Sequence, residues 1–122
     1  MKGFQLIFFT QQGRKHGHVL LHEWLMETLK TIGVQGATMV VAQEGIGHSH
    51  GFHSYHFFGL PDQPLEITMV LTEEELERVF KRLGDEKGLQ LFYAKSEVEF
   101  GIVGGQPSAS ESSFAKGATS DE

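Results

Sequence analysis

Two kinds of apolar pattern follow one another along this chain: short apolar runs typical of strands, and a 3.6-residue repeat typical of amphipathic helices. An apolar run over Gly3–Thr10 predicts a strand buried on both faces, and a 3.6-residue pattern over His18–Ile32 predicts an amphipathic helix. Gly33 can take a positive φ and so end that helix. The apolar stripe of the helix consists of Leu21, Leu25, Leu29 and Ile32.

The same order of patterns returns in the second half of the chain. A buried strand is predicted over Ala37–Glu44, and further strands over Leu65–Leu71 and Leu89–Ile102. The buried members expected in the last strand are Leu91, Tyr93, Val98 and Phe100. Thr72 and Glu75 have the spacing of a capping box at the start of a second helix. The inner stripe of this helix consists of Leu76, Val79, Phe80 and Leu83. We therefore predict an α+β, ferredoxin-like βαββαβ sandwich, with two helices on one face of a four-stranded antiparallel sheet.

The predicted sheet has more apolar surface than one layer of helices can cover. Its first two strands are apolar on both faces, so assembly of several copies through the open face would remove that surface from water. We place the folded domain at residues 1–103. Residues 104–122 are dominated by Ser, Gly, Ala and Thr and contain one large apolar residue, Phe114. Such a segment buries too little surface to offset its ordering entropy, so we predict a disordered tail.

Composition narrows the classes of function. The 122 residues carry a net charge of −6 and show no basic stripe, so a nucleic-acid partner is not expected. No apolar run approaches the roughly 18–20 residues that a membrane span needs. The chain has no cysteine and its first residues show no signal-peptide pattern, which favours a cytoplasmic location.

Candidate chemistry is concentrated in the glycine-rich segment Gly45–His56. Imidazoles can bind divalent metal ions, and His18 and His22 are predicted one turn apart on the first helix. The histidines of the segment itself are His48, His50, His53 and His56. The alternative is that the helix pair packs at a helix end and that the loop histidines are solvated. No H-E-x-x-H motif and no nucleophile constellation is present, so we predict no enzyme activity.

Two short motifs and one later segment resemble a family of PII-like proteins whose domain has no assigned function. That family carries G-A-T-V, then E-G-F-G, then a histidine six residues after the last glycine. The corresponding residues here are Gly36-Ala37-Thr38-Met39, Glu44-Gly45-Ile46-Gly47 and His53, and Pro64-Leu65-Glu66-Ile67 resembles the start of the family's third strand. The likeness covers roughly Phe4 to Val103.

The resemblance implies a homotrimer that binds a small-molecule effector in clefts between subunits. In PII proteins the effector is an adenine nucleotide, here AMP or ADP, and a loop called the T-loop docks on a target that is often a membrane transporter. By position in the motifs, the implied ligand-binding residues are Thr38, Gly45, Gly47, His48 and His53. Thr68 falls where the third strand borders the cleft, and Lys87, in a remnant of the PII phosphate loop G-D-G-K, is implied as a phosphate partner. His48 stands where the family often has lysine. Because the chain has few basic residues in this region, we expect AMP to be favoured relative to ATP when compared with ordinary PII proteins.

A second class of function stays open on the same residues. A trimer similar in fold to the divalent-cation-tolerance proteins could bind a divalent metal through histidines, and the loop would then respond to metal and to pH. The candidate metal ligands are His18, His22, His48, His50, His53 and His56.

Overall fold

The structure is a computed structural model that describes residues 1–47, 51–54 and 63–105. Four strands form an antiparallel sheet in the order β4-β7-β1-β8. Their bounds are β1 Lys2–Gln11, β4 Thr38–Val41, β7 Pro64–Leu71 and β8 Phe92–Glu99. Two helices, α1 Leu21–Ile32 and α2 Glu73–Gly84, pack on one face of this sheet. The predicted ferredoxin-like βαββαβ fold is confirmed.

Two short hairpins extend this framework. The first consists of β2 Lys15–His16 and β3 Val19–Leu20, and the second of β5 Glu44–Gly47 and β6 Gly51–Ser54. None of the helices in the described part of the chain is long and apolar enough to cross a membrane.

The core lies between the helices and the two central strands. Alternate residues of β1 and β7 turn toward the helices, which is why Leu6, Phe8 and Ile67 are almost completely buried. The apolar stripes predicted for both helices pack against these strand residues. The buried cluster consists of Leu6, Phe8, Leu25, Leu29, Ile67, Met69, Leu71, Leu76, Val79 and Leu83.

The helix ends follow the local chemistry that the sequence predicts. Thr72 accepts a hydrogen bond from the backbone N–H of Glu75 at 3.2 Å, and the Glu75 carboxylate accepts one from the Thr72 N–H at 2.8 Å. This is the predicted capping box. Gly33 has φ 103° and donates to the carbonyls of Leu29 and Lys30, as expected for a residue that closes a helix.

The start of the first helix was predicted too early. The helix begins at Leu21 and not near His18, because the chain first folds back as hairpin β2–β3, in which His16 pairs with Val19. Gly17, with φ 65°, forms the turn of this hairpin in the left-handed region that glycine tolerates. His18 therefore lies in a turn before the helix.

The predicted burial of the strands is wrong in two places. All four residues of β4 are exposed, and β8 is shorter than predicted and mostly exposed, including Tyr93. Both are edge strands, so each has a neighbouring strand on one side only and the helices cover the central pair. Strand β1 is buried on the helix face and only partly buried on the other. The predicted tail lies outside the described residues from position 106 onward.

Candidate functional site

Three connecting segments meet at one end of the sheet, which we call the hairpin end. In the antiparallel ladders Gln11 pairs with Pro64, Val41 with Leu65, and Phe9 with Phe92. The last residues of β1 and β4 and the first residues of β7 and β8 therefore share this end. Hairpin β2–β3 follows β1 here, hairpin β5–β6 follows β4, and the turn of residues 85–91 leads into β8.

Thr38 and Thr68 are brought together by the fold. They are direct partners in the β4–β7 ladder, so their side chains project from the same face of the sheet. Neighbours of Thr68 along β7, such as Ile67 and Met69, are buried against the helices, which places both threonines on the opposite face. Thr38 is exposed and Thr68 is partly buried. The pair offers two adjacent hydroxyl groups to a ligand.

This opposite face, the open sheet face, carries exposed apolar side chains near the threonine pair, together with Glu66 and Gln5. Val40 is 44%, Val70 41% and Phe92 57% exposed in the single chain. The Phe92 ring lies 5.6 Å from that of Phe9, its cross-strand partner, between ring centroids. In the isolated subunit, apolar residues of this face are therefore exposed, as the sequence analysis expects.

Hairpin β5–β6 contains most of the motif that carries the family resemblance. Gly45 pairs directly with His53, and Gly47 pairs with Gly51. Two residues predicted from separate parts of the motif are therefore backbone neighbours, and the predicted loop is in this part an antiparallel ladder. His48, His50 and His56 lie outside the described residues.

Lys87 lies at the hairpin end, in the turn that follows α2, and its side chain is exposed. Beside it, the Glu86 carboxylate engages two partners: Nε2 of His16 lies 2.7 Å from one oxygen, and Nη1 of Arg82 donates to the other at 2.8 Å. The His16 ring also packs against the ring of Trp24, with 4.6 Å between centroids. The guanidinium carbon of Arg82 lies 5.7 Å from the centre of the Trp24 ring.

We call His16, Trp24, Arg82 and Glu86 the latch cluster. The sequence prediction assigned none of these four residues to the site. Arg82 and Glu86 have the i, i+4 spacing of a helical ion pair, which is a local signal that could have suggested half of the cluster. The contact between His16 and Glu86 joins residues 70 positions apart, and no local pattern indicates it.

The latch cluster also affects the ionisation of Glu86. The hydrogen bond from His16 and then that from Arg82 lower the pKa of the Glu86 carboxyl below its ordinary value. The lowered pKa favours the ionised form of Glu86, whose carboxylate offsets the positive charge of Arg82.

The histidines predicted as metal ligands are not arranged as the sequence suggested. His18 is exposed in the hairpin turn, while His22 lies in the first turn of α1 with its Nε2 atom buried and without a hydrogen-bond partner among the described residues. The two do not share one helix face. Among the side chains that the structure describes, no three of His, Asp or Glu are placed to hold one metal ion.

Comparison with known proteins places this geometry in context. Residues 3–91 match the model of the DUF190 family, described as an uncharacterized ACR. No curated protein matches the sequence.

Solved structures share the fold at low sequence identity. One is a protein of Thermus thermophilus described as PII-like and signaling, with a TM-score of 0.59, 18% identity, and coverage of 80% of this chain and 88% of the other. Another is CPII of Thiomonas intermedia, a nitrogen regulatory PII-like protein bound to ADP, AMP and bicarbonate, with a TM-score of 0.59, 17% identity, and coverage of 83% and 97%. At these identities the likeness establishes a PII-like fold.

Proposed function

Because its residues 3–91 match the family model, the chain belongs to the DUF190 family, and we propose that it is a PII-like regulatory protein that binds an adenine nucleotide. The observation that carries the proposal is its PII-like fold, shared with a protein whose structure contains ADP and AMP. The predicted membership of a PII-like family without an assigned function is confirmed.

The hairpin end of the sheet supplies groups suited to a nucleotide. Hydroxyl groups of Thr38 and Thr68 can donate and accept hydrogen bonds with the base or ribose. The glycines of hairpin β5–β6, Gly45 and Gly47, let a ligand approach the backbone closely. Lys87 offers an exposed ammonium group to phosphate. By their positions in the family motif, His48 and His53 are proposed as further ligand-binding residues.

Charge at this end favours a ligand with few phosphates. Arg82 donates a hydrogen bond to Glu86, and Nη2 of Arg14 donates one to the carbonyl of Gln90. These two arginines therefore already have partners. Lys87 is the cation that we assign to phosphate, and the whole chain carries a charge of −6. We propose AMP or ADP as the effector, with a smaller preference for ATP than in PII proteins that offer more basic residues.

We propose further that the protein is a homotrimer in which the open sheet faces meet and the nucleotide clefts lie between subunits. Support comes from the exposure of Val40, Val70 and Phe92 on that face, since large apolar residues left exposed together on one face often mark an interface. Light scattering that gives the mass of a single chain at micromolar concentration would reject the trimer.

The regulatory output is proposed to pass through the segment Gly45–His56. This segment leaves the sheet at the hairpin end, next to the proposed ligand, so that nucleotide binding can change its conformation. A protein target docks on it, and a membrane transporter is the kind of target that the family resemblance implies. The protein acts by binding and not as an enzyme.

Calorimetric titration with AMP, ADP and ATP tests the proposal. We expect binding of AMP and ADP, and a loss of about tenfold in affinity for Thr38→Val and for Thr68→Val, since one hydrogen bond contributes about 1 kcal/mol and an unpaired polar group adds to the loss. Thr31→Val, on the exposed face of α1, is the matched control and should bind as wild type. No heat with any adenine nucleotide at millimolar concentration would reject the proposed ligand.

A further inference from the structure

The latch cluster joins four segments of the chain at the hairpin end of the sheet. His16 belongs to hairpin β2–β3, Trp24 to α1 and Arg82 to the last turn of α2, while Glu86 lies in the turn of residues 85–91. Each member contacts the next, from His16 to Glu86, to Arg82, to Trp24 and back to His16. A closed ring of contacts restrains each side chain from two sides.

The contact between His16 and Glu86 differs from an ordinary surface ion pair. Side-chain exposure is 17% for His16 and 23% for Glu86, so both groups are largely shielded by the fold. The Arg82–Glu86 pair is a local i, i+4 contact that a helix end would make in any case. His16 is the member that connects the turn to a distant part of the chain.

The turn that carries Lys87 is held by apolar contacts after Lys87 and by hydrogen bonds before it. Leu89 and Leu91, after Lys87, are partly buried against the core. Before Lys87, the backbone bond from Glu86 N–H to the Leu83 carbonyl and the side-chain contacts of Glu86 hold the chain. Lys87 lies between these two sets of contacts. The direction of its side chain therefore depends on the contacts of Glu86.

We infer that His16 and Glu86 are positioning residues, which hold the turn of residues 85–88 against hairpin β2–β3 and so orient Lys87 toward the phosphate of the ligand. The inference rests on the proposed nucleotide function for the role of Lys87, and on the latch cluster alone for the order of the turn. Neither His16 nor Glu86 touches the ligand. Pre-ordering the turn removes an ordering penalty that binding would otherwise have to overcome.

Two readouts on purified full-length protein separate the turn from the ligand. Amide hydrogen exchange without nucleotide reports the order of the turn through the N–H groups of Glu86 and Leu89, which bond to the carbonyls of Leu83 and Glu86. Calorimetry with ADP and with adenosine reports binding with and without phosphate. Trp24 is the sole tryptophan, so its emission reports the His16 contact directly.

The variants are His16→Ala, which breaks the long-range contact, and Glu86→Ala, which removes the carboxylate from the turn without touching the hairpin. His16→Gln is the conservative variant, because its amide nitrogen can reach the position of Nε2. Lys81→Ala is the matched control, since Lys81 is exposed on the same last turn of α2.

We expect both alanine variants to exchange the Glu86 and Leu89 amides faster and to lose about three- to tenfold in affinity for ADP, with adenosine unaffected. His16→Ala should also change Trp24 emission. His16→Gln should restore the affinity for ADP, and Lys81→Ala should match wild type in exchange and in binding.

Unchanged exchange at Glu86 and Leu89 in both alanine variants would overturn the inference. Faster exchange with wild-type affinity for ADP would overturn the positioning role. If wild type binds neither ADP nor AMP, the proposed function fails, and the exchange rates still decide whether His16 and Glu86 hold the turn.

Discussion

A methyl group at position 3 has no room in this fold, which makes Gly3→Ala a sharp test of how the end of the sheet is packed. An ideal Cβ on Gly3 would lie 2.2 Å from the carbonyl oxygen of Leu71 and 2.7 Å from a ring carbon of Phe100. The ring can rotate, but the carbonyl belongs to the backbone of β7. Strand β1 would have to move away from Leu71 by about 1 Å or more to reach an ordinary contact distance.

The expected loss of stability follows from two opposing contributions. Forcing one extra carbon into a packed site costs about 1–3 kcal/mol, and the backbone clash places Gly3→Ala in the upper part of that range. Alanine also lowers the conformational entropy of the unfolded chain, which offsets about 0.4–1 kcal/mol of this loss. We expect a net loss of about 2 kcal/mol in the free energy of unfolding, or roughly 8–16 °C in Tm for a domain of this size.

Urea and thermal unfolding, followed by circular dichroism at one fixed protein concentration, measure the effect. Gly84→Ala is the matched control: a Cβ at this last residue of α2 meets nothing within 4 Å. Because alanine is favoured in helices, Gly84→Ala should keep or raise the stability by up to about 1 kcal/mol. A Gly3→Ala protein as stable as wild type would refute the close approach of Gly3 and Leu71.

Three further predictions concern other parts of the chain. Thr72→Ala removes the capping hydrogen bond to α2 and should lower the free energy of unfolding by about 1 kcal/mol, measured by urea unfolding. Hydrogen bonds from His16 and Arg82 lower the pKa of Glu86, so its stabilising contribution is complete above its ordinary value of 4.5 and is lost as the pH falls below it through the folded pKa. Stability measured from pH 6 to 3 should therefore fall less steeply for Glu86→Gln than for wild type, and equal slopes would contradict the assignment. Truncation after Gly105 should leave Tm nearly unchanged, and a loss above about 1 kcal/mol would show that the predicted tail contributes to the fold.

Local patterns in the sequence were sufficient to predict most of the architecture. Each helix stripe repeats within a single turn or two, and the capping box at Thr72 spans only four residues, so these signals depend on neighbours along the chain. The order of strands and helices then allows few topologies, and the ferredoxin-like sheet follows from it. The motif from Gly36 to His53 predicted the family for the same reason, since its spacing is visible without any tertiary contact.

Burial of the strands could not be predicted from the same patterns. Strand β4 has the composition of a core strand, with Met39, Val40 and Val41 in succession, but lies at an edge of the sheet and is exposed in the single chain. The apolar composition of a strand indicates that it will be buried. Which surface covers it depends on the order of strands in the sheet and on assembly. The early start predicted for α1 has a related cause, because the pairing of His16 with Val19 competes with the helix and prevails.

The candidate site shows the same division most clearly. Thr38 was predicted from its position in a motif and Thr68 from its place on the third strand, but only the register of β4 against β7 makes them neighbours. The latch cluster was missed because His16 and Glu86 are 70 residues apart, and a contact of that kind exists only after the sheet has brought hairpin β2–β3 beside the turn that follows α2. The sequence by itself determined the residue types, the end of α1 at Gly33, the start of α2 at Thr72 and the family, because these depend on short-range spacing. The tertiary structure decided which polar side chains meet, because the packing of the whole sheet sets those distances.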